Sequence, residues 1–283
     1  MKLIFFGTSD FSKPVFKALR KEGYSPILWN LKNSLEDFKK LKPDICIVAA
    51  YGKIIPKEYL EIPKHGFLNI HPSLLPKYRG PSPIQTVILN GDPEGDASRP
   101  YGAGKETGVS IILMDEKIDH GPILKIQNLK IKSQNYKKLE KELAELGAEL
   151  LIETLPKWIN GKIKPKEQNH SEATYTKKFS WPDGKIDWSK SADEIDRQIR
   201  ALNPEPGTWT RWQNKVLKMI EAEPMESKIA GESGKVISIE DQIIVKCGQD
   251  ALLLKKVQLE GRKPTNISDF LNGHKNFVGS MLK

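Results

Sequence analysis

The run Ile-Cys-Ile-Val-Ala-Ala at residues 45–50 constrains this chain more than any other feature. A continuous apolar run suits a strand covered on both faces, the kind found in parallel sheets flanked by helices. Its neighbours fit that setting. Apolar runs at residues 2–6 and 26–29 alternate with helical patterns at 11–20 and 35–41, the first marked by a stripe of Val15, Phe16 and Leu19. Strand, helix, strand, helix, strand reads as an α/β unit with a Rossmann-like, doubly wound, mostly parallel sheet. Further strands are expected at 67–70 and 108–114, and helices at 83–89 and 136–159, where Pro156 should kink or end the last one.

A polar connector over residues 160–183 separates this half from a region of different texture. One amphipathic helix is expected at 191–202, with Ser191 and Asp193 available for capping, and Asn-Pro-Glu-Pro-Gly at 203–207 stops it. Beyond Thr208 the segments are short, alternating and turn-bounded, at 216–222, 234–239, 242–247 and 251–258. Short strands at near-regular spacing predict a small β-barrel of roughly 80 to 100 residues. Two domains also suit the 283 residues, since single cores rarely grow past about 250. The expected boundaries are a domain at 1–168, a basic linker at 169–186 and a domain at 187–283.

No apolar stretch approaches the ~18 to 20 residues that cross a bilayer, and residues 3–6 are too short for a signal-peptide core. A soluble cytoplasmic protein without membrane partners is expected. Cys46 and Cys247 each lie in an apolar segment, far apart in sequence, and are expected to be buried, reduced thiols. The net charge of +9 is uneven, because residues 157–185 hold seven lysines against three acids. Such a stretch attracts a polyanion through a salt-dependent field that is blind to sequence, or is simply a solvated connector.

The densest group of unusual residues is Asn-Ile-His-Pro-Ser-Leu-Leu-Pro-Lys-Tyr-Arg-Gly at 69–80, directly after an expected strand. In open α/β sheets, loops at the carboxyl ends of strands line the ligand crevice. Asn69 and His71 are two apart, so on extended chain they share a face and converge on one small site. A second group, Met-Asp-Glu-Lys-Ile-Asp-His-Gly-Pro at 114–122, also follows a strand, and Asp115 or Asp119 is suited to orient His71. Other motifs fall away. Gly-Thr-Ser-Asp at 7–10 lacks the later glycines of a dinucleotide fingerprint, and Gly-Ala-Gly-Lys-Glu at 102–106 lacks the Ser or Thr of a phosphate loop. The five histidines take no ligand spacing, so no metal site is expected.

At these residues the chain resembles the methionyl-tRNA formyltransferases, within the wider group of enzymes that move a formyl group from 10-formyltetrahydrofolate. Residues 6–11, 50–56, 69–80, 108–121, 186–189, 202–204, 254–261 and 269–271 follow the family's order, and Asn-x-His-x-Ser-Leu-Leu-Pro at 69–76 is its specific core. The resemblance implies a catalytic trio of Asn69, His71 and Asp119. It implies that Ser73, Leu74, Leu75 and Pro76 border the folate, and that Tyr51, Gly52, Ile54 and Ile55 form the pterin pocket with Asp115. It further implies an oligonucleotide-fold (OB-like) barrel at the C-terminus that helps hold initiator methionyl-tRNA, with Lys157, Lys162, Lys164, Lys166, Lys177, Lys178 and Arg79 on phosphates. The chemistry expected of such a site is alignment of an amine and stabilisation of an oxyanion by Asn69 and His71, with Asp119 supporting and the proton assigned to neither His71 nor Asp119.

Three departures stand out. The family's long basic loop after the second strand is replaced by Trp-Asn-Leu-Lys-Asn-Ser at 29–34, residues 93–106 look like an insertion able to take its place, and Glu205 stands where an aromatic residue is common. The competing readings are a sugar-nucleotide formyltransferase, a hydrolase releasing formate from the same folate, and a non-catalytic RNA-binding protein on the same scaffold. A monomer is expected.

Overall fold

The computed structural model describes residues 1–91, 106–131 and 135–283, and the chain divides into two compact units, Met1–Lys178 and Phe179–Lys283. Most of the 93–106 insertion lies outside the described residues; Glu106 alone is described, as the first residue of a strand.

The first unit is built on β1 (Leu3–Phe6), α1 (Ser12–Lys21), β2 (Ile27–Leu28), α2 (Leu35–Leu41), β3 (Ile45–Ala49), α3 (Lys57–Leu60), β4 (Phe67–His71), α4 (Pro83–Leu89), β5 (Glu106–Leu113), β6 (Ile123–Lys130) and α5 (Tyr136–Ile159). Its sheet runs β2-β1-β3-β4-β5-β6, with the first four strands parallel and the last two antiparallel. All five residues of β3 are buried, as an unbroken apolar run in a central strand requires. Alternation along the strands then sends side chains to two faces. On one face Phe6, Phe38, Tyr51, Tyr59 and Phe67 form an aromatic cluster centred on Phe38, which is 0 % exposed. Burying a ring of that size contributes about 1.5–3 kcal/mol. On the other face α1 packs against α5, and Val15 and Leu19 point inward from the expected stripe.

Two local outcomes differ from the sequence pattern. Pro156 does not end α5 at once, because the helix runs on for three residues to Ile159, and the side chain of Asn160 then donates to the Pro156 carbonyl. A strand at 123–130 carries only one fully buried residue, Leu124, and its lysines and amides face outward. It is an edge strand held by its pairing with β5 rather than by hydrophobic burial.

In the second unit α6 (Ala192–Leu202) starts with a reciprocal cap, Ser191 accepting from the Glu194 amide while the Glu194 carboxylate accepts from the Ser191 amide. Strands β7 (Thr208–Trp212), β8 (Lys215–Met225), β9 (Val236–Ile239), β10 (Gln242–Lys246) and β11 (Ala251–Leu259) pair in the order β7-β8-β11-β10-β9, all antiparallel; β12 (Thr265–Asn266) pairs with β11 and leads into α7 (Ile267–Gly273). The final residues join the two free edges. Val236 N donates to Ser280 O and Leu282 N to Gly234 O, while Arg211 and Lys283 exchange both backbone bonds. That closes the sheet into a small barrel around Leu217, Met219, Val245, Leu252 and Val257. Asn203 explains why Leu-Asn-Pro ends α6. Its amide donates to Met219 O at 2.8 Å and its side-chain oxygen accepts from Thr208 N, tying the helix end to β7 and β8.

Cys46 and Cys247 are both free and buried; burial pushes the Cys46 thiol far up and the Cys247 thiol up to about 12, so neither is a nucleophile at neutral pH.

Candidate active site

β4 lies between parallel β3 and antiparallel β5, so the sheet changes direction beside it. A ligand crevice belongs at such a point, outside the strand ends. Asn69 and His71 occupy one face of β4 at its carboxyl end, and His71 is 5 % exposed. The loop after β5 brings Asp119 to them. It is pinned by Leu113 N donating to Pro122 O, and Gly121 is required there, since a Cβ would stand 1.9 Å from the Leu113 carbonyl. Asp119 itself takes the left-handed backbone, φ 48°, which Asp tolerates better than most residues.

The Asp119 carboxylate is the hub of the site. Its Oδ1 accepts from Asn69 Nδ2 at 3.1 Å and lies 3.5 Å from His71 Nδ1, while its Oδ2 accepts from the Gly80 amide at 2.7 Å. His71 Nε2 sits 3.0 Å from the Tyr78 carbonyl, which can only accept, so the proton belongs on Nε2. Nδ1 then faces the carboxylate, and a second proton there makes an ion pair. The arrangement holds an amide donor, an imidazole and a carboxylate together at a strand end, and is suited to donate to an oxygen that gains charge and to move one proton.

The 73–76 segment is bolted to β5 by Ser110, whose hydroxyl donates to Ser73 O at 2.7 Å and accepts from Leu75 N at 3.1 Å. Ser73 and Leu75 are buried, and Leu74 and Pro76 are half-buried. In the 51–55 loop Tyr51 and Ile55 turn into the aromatic core, where the Tyr51 hydroxyl accepts from Leu31 N. Gly52 and Ile54 face outward, Ile54 being 78 % exposed. Lys57 and Glu116 at 2.6 Å join this loop region to the Asp115 loop, and Asp115 holds His120 Nδ1 at 2.6 Å. The 29–34 connection is a short turn pinned by Tyr51, after which Ser34 caps α2.

One expected contact is corrected by the structure. Arg79 is 1 % exposed and cannot offer its guanidinium to a phosphate. It donates instead to Gln168 Oε1 at 2.6 Å, to His170 Nδ1 at 2.9 Å and to the Tyr175 hydroxyl at 3.3 Å. Lys157, Lys162, Lys164, Lys166, Lys177 and Lys178 are all exposed, but Lys157 is engaged by Glu153 at 2.7 Å. Sequence reasoning missed Gln168, Ser110, His120 and His170. Ser110 is the one hydroxyl within the apolar run 108–114, which is a usable signal; Gln168 lies in a polar connector and carries none.

His120 and His170 stack at 3.9 Å between centroids, with Arg79 beside them. Desolvation first, then the charges of His120 and Arg79, hold the His170 imidazole below its ordinary value of 6.5. As pH falls through that value, the unfolded chain takes up this proton before the folded one, so the group's contribution to stability declines with acidity. We expect thermal stability to drop as pH falls through 6.5, and a His170→Gln variant to show a shallower drop; equal slopes in scanning calorimetry would count against it. Among the described residues no three His, Cys, Asp or Glu side chains gather as a metal cage.

Fold and site together define a formyl-transferring enzyme of the two-domain type: residues 5–155 match the family described as formyl transferase, and residues 178–275 the formyl transferase C-terminal domain. The methionyl-tRNA formyltransferase of Caldanaerobacter subterraneus subsp. tengcongensis is 36% identical over 321 positions, covering 100% of both chains. The chain thus belongs to the methionyl-tRNA formyltransferase family. The alignment is longer than the 283 residues here, so that relative carries segments this chain lacks. Among solved structures, HypX from Aquifex aeolicus in complex with tetrahydrofolic acid superposes with a TM-score of 0.76 at 18% identity, over 98% of this chain and 48% of HypX. Methionyl-tRNA formyltransferase from Clostridium thermocellum superposes at 0.63 and 20% identity, over 90% of this chain and 99% of that one. At such identities both likenesses speak for the fold alone. No helix of the described residues is long and apolar enough to cross a membrane.

Proposed function

We propose that the chain transfers the formyl group of 10-formyltetrahydrofolate to the α-amino group of methionine on initiator methionyl-tRNA, as a cytoplasmic monomer. The observation that carries this reading is the convergence of Asn69, His71 and Asp119 at one strand end. The bound folate supplies an activated one-carbon group at the acyl oxidation level. The residues present fit such a ligand: Ile54 and Ile118, 78 % and 57 % exposed, stand on the 51–55 loop and the loop after β5 and offer apolar surface to flat rings. Gly52, with φ 73°, keeps the first of those loops free of a side chain at its turn.

Asn69 has a second amide hydrogen beyond the one given to Asp119, and it is directed to the formyl oxygen as that oxygen gains charge. His71, its Nε2 held by the Tyr78 carbonyl, works through Nδ1 on the Asp119 side, where the pair supports the developing charge and relays the proton that leaves the amine toward the departing nitrogen. The acceptor is already a good nucleophile when neutral, so alignment carries much of the rate and no covalent enzyme intermediate is needed. In this reading the first unit performs catalysis and the barrel, with the lysines at 162–178, holds tRNA.

A sugar-nucleotide acceptor is the second reading, favoured by the short 29–34 turn in place of a long basic loop. The deciding assay offers methionyl-tRNA, an amino-sugar nucleotide, or no acceptor, with 10-formyltetrahydrofolate as donor. Formyl transfer to initiator methionyl-tRNA is the expected result. Transfer only to the sugar, or formate release alone, would retain the trio and reject the acceptor.

A further inference from the structure

The trio's hub, Asp119, is held from behind by a residue outside both site loops. Gln168 is 6 % exposed, and its Nε2 donates to the backbone carbonyl of Asp119 at 2.9 Å and to that of Gly121 at 2.7 Å. Its Oε1 accepts from Arg79, from Nη2 at 2.6 Å and Nε at 3.3 Å. The orientation of this amide is dictated by its partners, since a flip would set its NH₂ against a guanidinium and its oxygen against two carbonyls. Arg79 in turn is fixed by His170 and Tyr175, and its backbone is tied to the same strip of chain, Arg79 N donating to Thr174 O and Thr176 N to Arg79 O.

We propose that Gln168 is a positioning residue for Asp119: a buried strut, braced by Arg79, that fixes the left-handed turn from which the carboxylate reaches Asn69, His71 and Gly80. The Asp119 carboxylate is fixed by the three groups it serves and the end of the loop by Leu113 N on Pro122 O, but neither set of bonds acts on the backbone of the turn at Asp119, which keeps some freedom without a further tie. Gln168 removes that freedom at the two carbonyls on either side of His120. Because a displacement of about 1 Å in a reacting group can cost about 100-fold in rate, such a strut matters to turnover even though it touches no reacting atom. The strip that carries it, residues 166–176, bonds to β6 through Ile123 and Lys166 and to the Tyr78–Gly80 loop, so it joins both site loops to one support.

This inference rests on the formyl-transfer reading, and its test has an arm that does not. Gln168→Leu removes the bonds to both carbonyls and the acceptor for Arg79; Gln168→Glu keeps an acceptor for Arg79 but sets a carboxylate oxygen against two carbonyls, and guards against a variant that merely fails to fold. In both, kcat is expected to fall about 30-fold while KM for each substrate stays within about threefold. The double variant Gln168→Leu, Asp119→Ala should be no slower than Asp119→Ala alone, because a residue that acts through another loses its effect once that other is gone. Losses that multiply, or a kcat within about twofold of the native value, would overturn the proposal. In the second arm, hydrogen exchange of the Gly80 amide, which donates to Asp119, is followed by NMR without substrate. It should quicken about tenfold or more in both variants while the Ile47 amide of β3 keeps its native rate, and unchanged Gly80 protection would overturn the strut. A native chain that transfers no formyl group would refute the functional reading, leaving the exchange arm to decide this one.

Discussion

Asp119→Ala is expected to lower kcat for formyl transfer about 1,000-fold, with KM for methionyl-tRNA within a few fold. Three separate interactions end on this carboxylate: Asn69 at 3.1 Å, His71 at 3.5 Å and the Gly80 amide at 2.7 Å. Removing it frees the Asn69 amide to rotate, takes the countercharge from His71 and releases the loop between β4 and α4. Each of these matters more as charge develops on the reacting atoms than when substrate first binds, so the loss falls on kcat. Asp119→Asn separates the parts. It preserves the shape and an acceptor oxygen for Gly80, but carries no charge to hold a protonated His71, and should recover at most about a tenth of the native kcat. Side-chain replacement at a site only 12 % exposed also affects stability, so the comparison is made on protein whose thermal transition stays above the assay temperature. A kcat within about threefold of native for Asp119→Ala would remove Asp119 from the reaction.

How much of this site is legible from sequence follows from how local its determinants are. Asn69 and His71 are visible because period-two geometry alone puts them on one face, and β3 announces itself because a doubly covered strand has no polar alternation. Asp119 is legible as one of two candidates: Asp115 and Asp119 lie on the same loop, and only the left-handed turn and the missing Cβ of Gly121 turn Asp119, rather than Asp115, toward His71. Arg79 misleads because a cation in a polar motif looks like surface. Its burial depends on Gln168 and His170, some ninety residues away, and no local pattern encodes that meeting. β6 and β7 are weakly marked for different reasons. β6 is an edge strand whose outward lysines dilute its apolar pattern, and β7, Thr-Trp-Thr-Arg-Trp, is joined to β8 by Gln213 and Asn214, both with positive φ, without the Asn-Gly pair that usually signals such a turn. The barrel's closure is further from view, because it depends on residues 279–283 reaching back to Arg211 and Val236.

Neutralising Lys162, Lys164, Lys166 and Lys178 together, each to Gln, is expected to weaken methionyl-tRNA binding about 100-fold near physiological salt. All four are exposed, and no ion pair engages them among the described residues, whereas Lys157 already has Glu153 and Arg79 is buried. A lysine that neutralises a phosphate releases a condensed counterion, so the dependence of log affinity on log salt should flatten by about 0.7–0.9 for each contact removed, and by about 3 for the set. This separates phosphate contact from a general electrostatic field. A field acting at a distance changes the association rate and is screened over about 8–10 Å, but it does not remove integral counterions from the slope. Use of the folate donor is the internal control. KM for 10-formyltetrahydrofolate should stay within about twofold, since none of the four lysines belongs to the Asn69, His71 and Asp119 cluster. Unchanged salt slope in the quadruple variant would show that this strip is a solvated surface, and would leave the barrel as the element that holds tRNA.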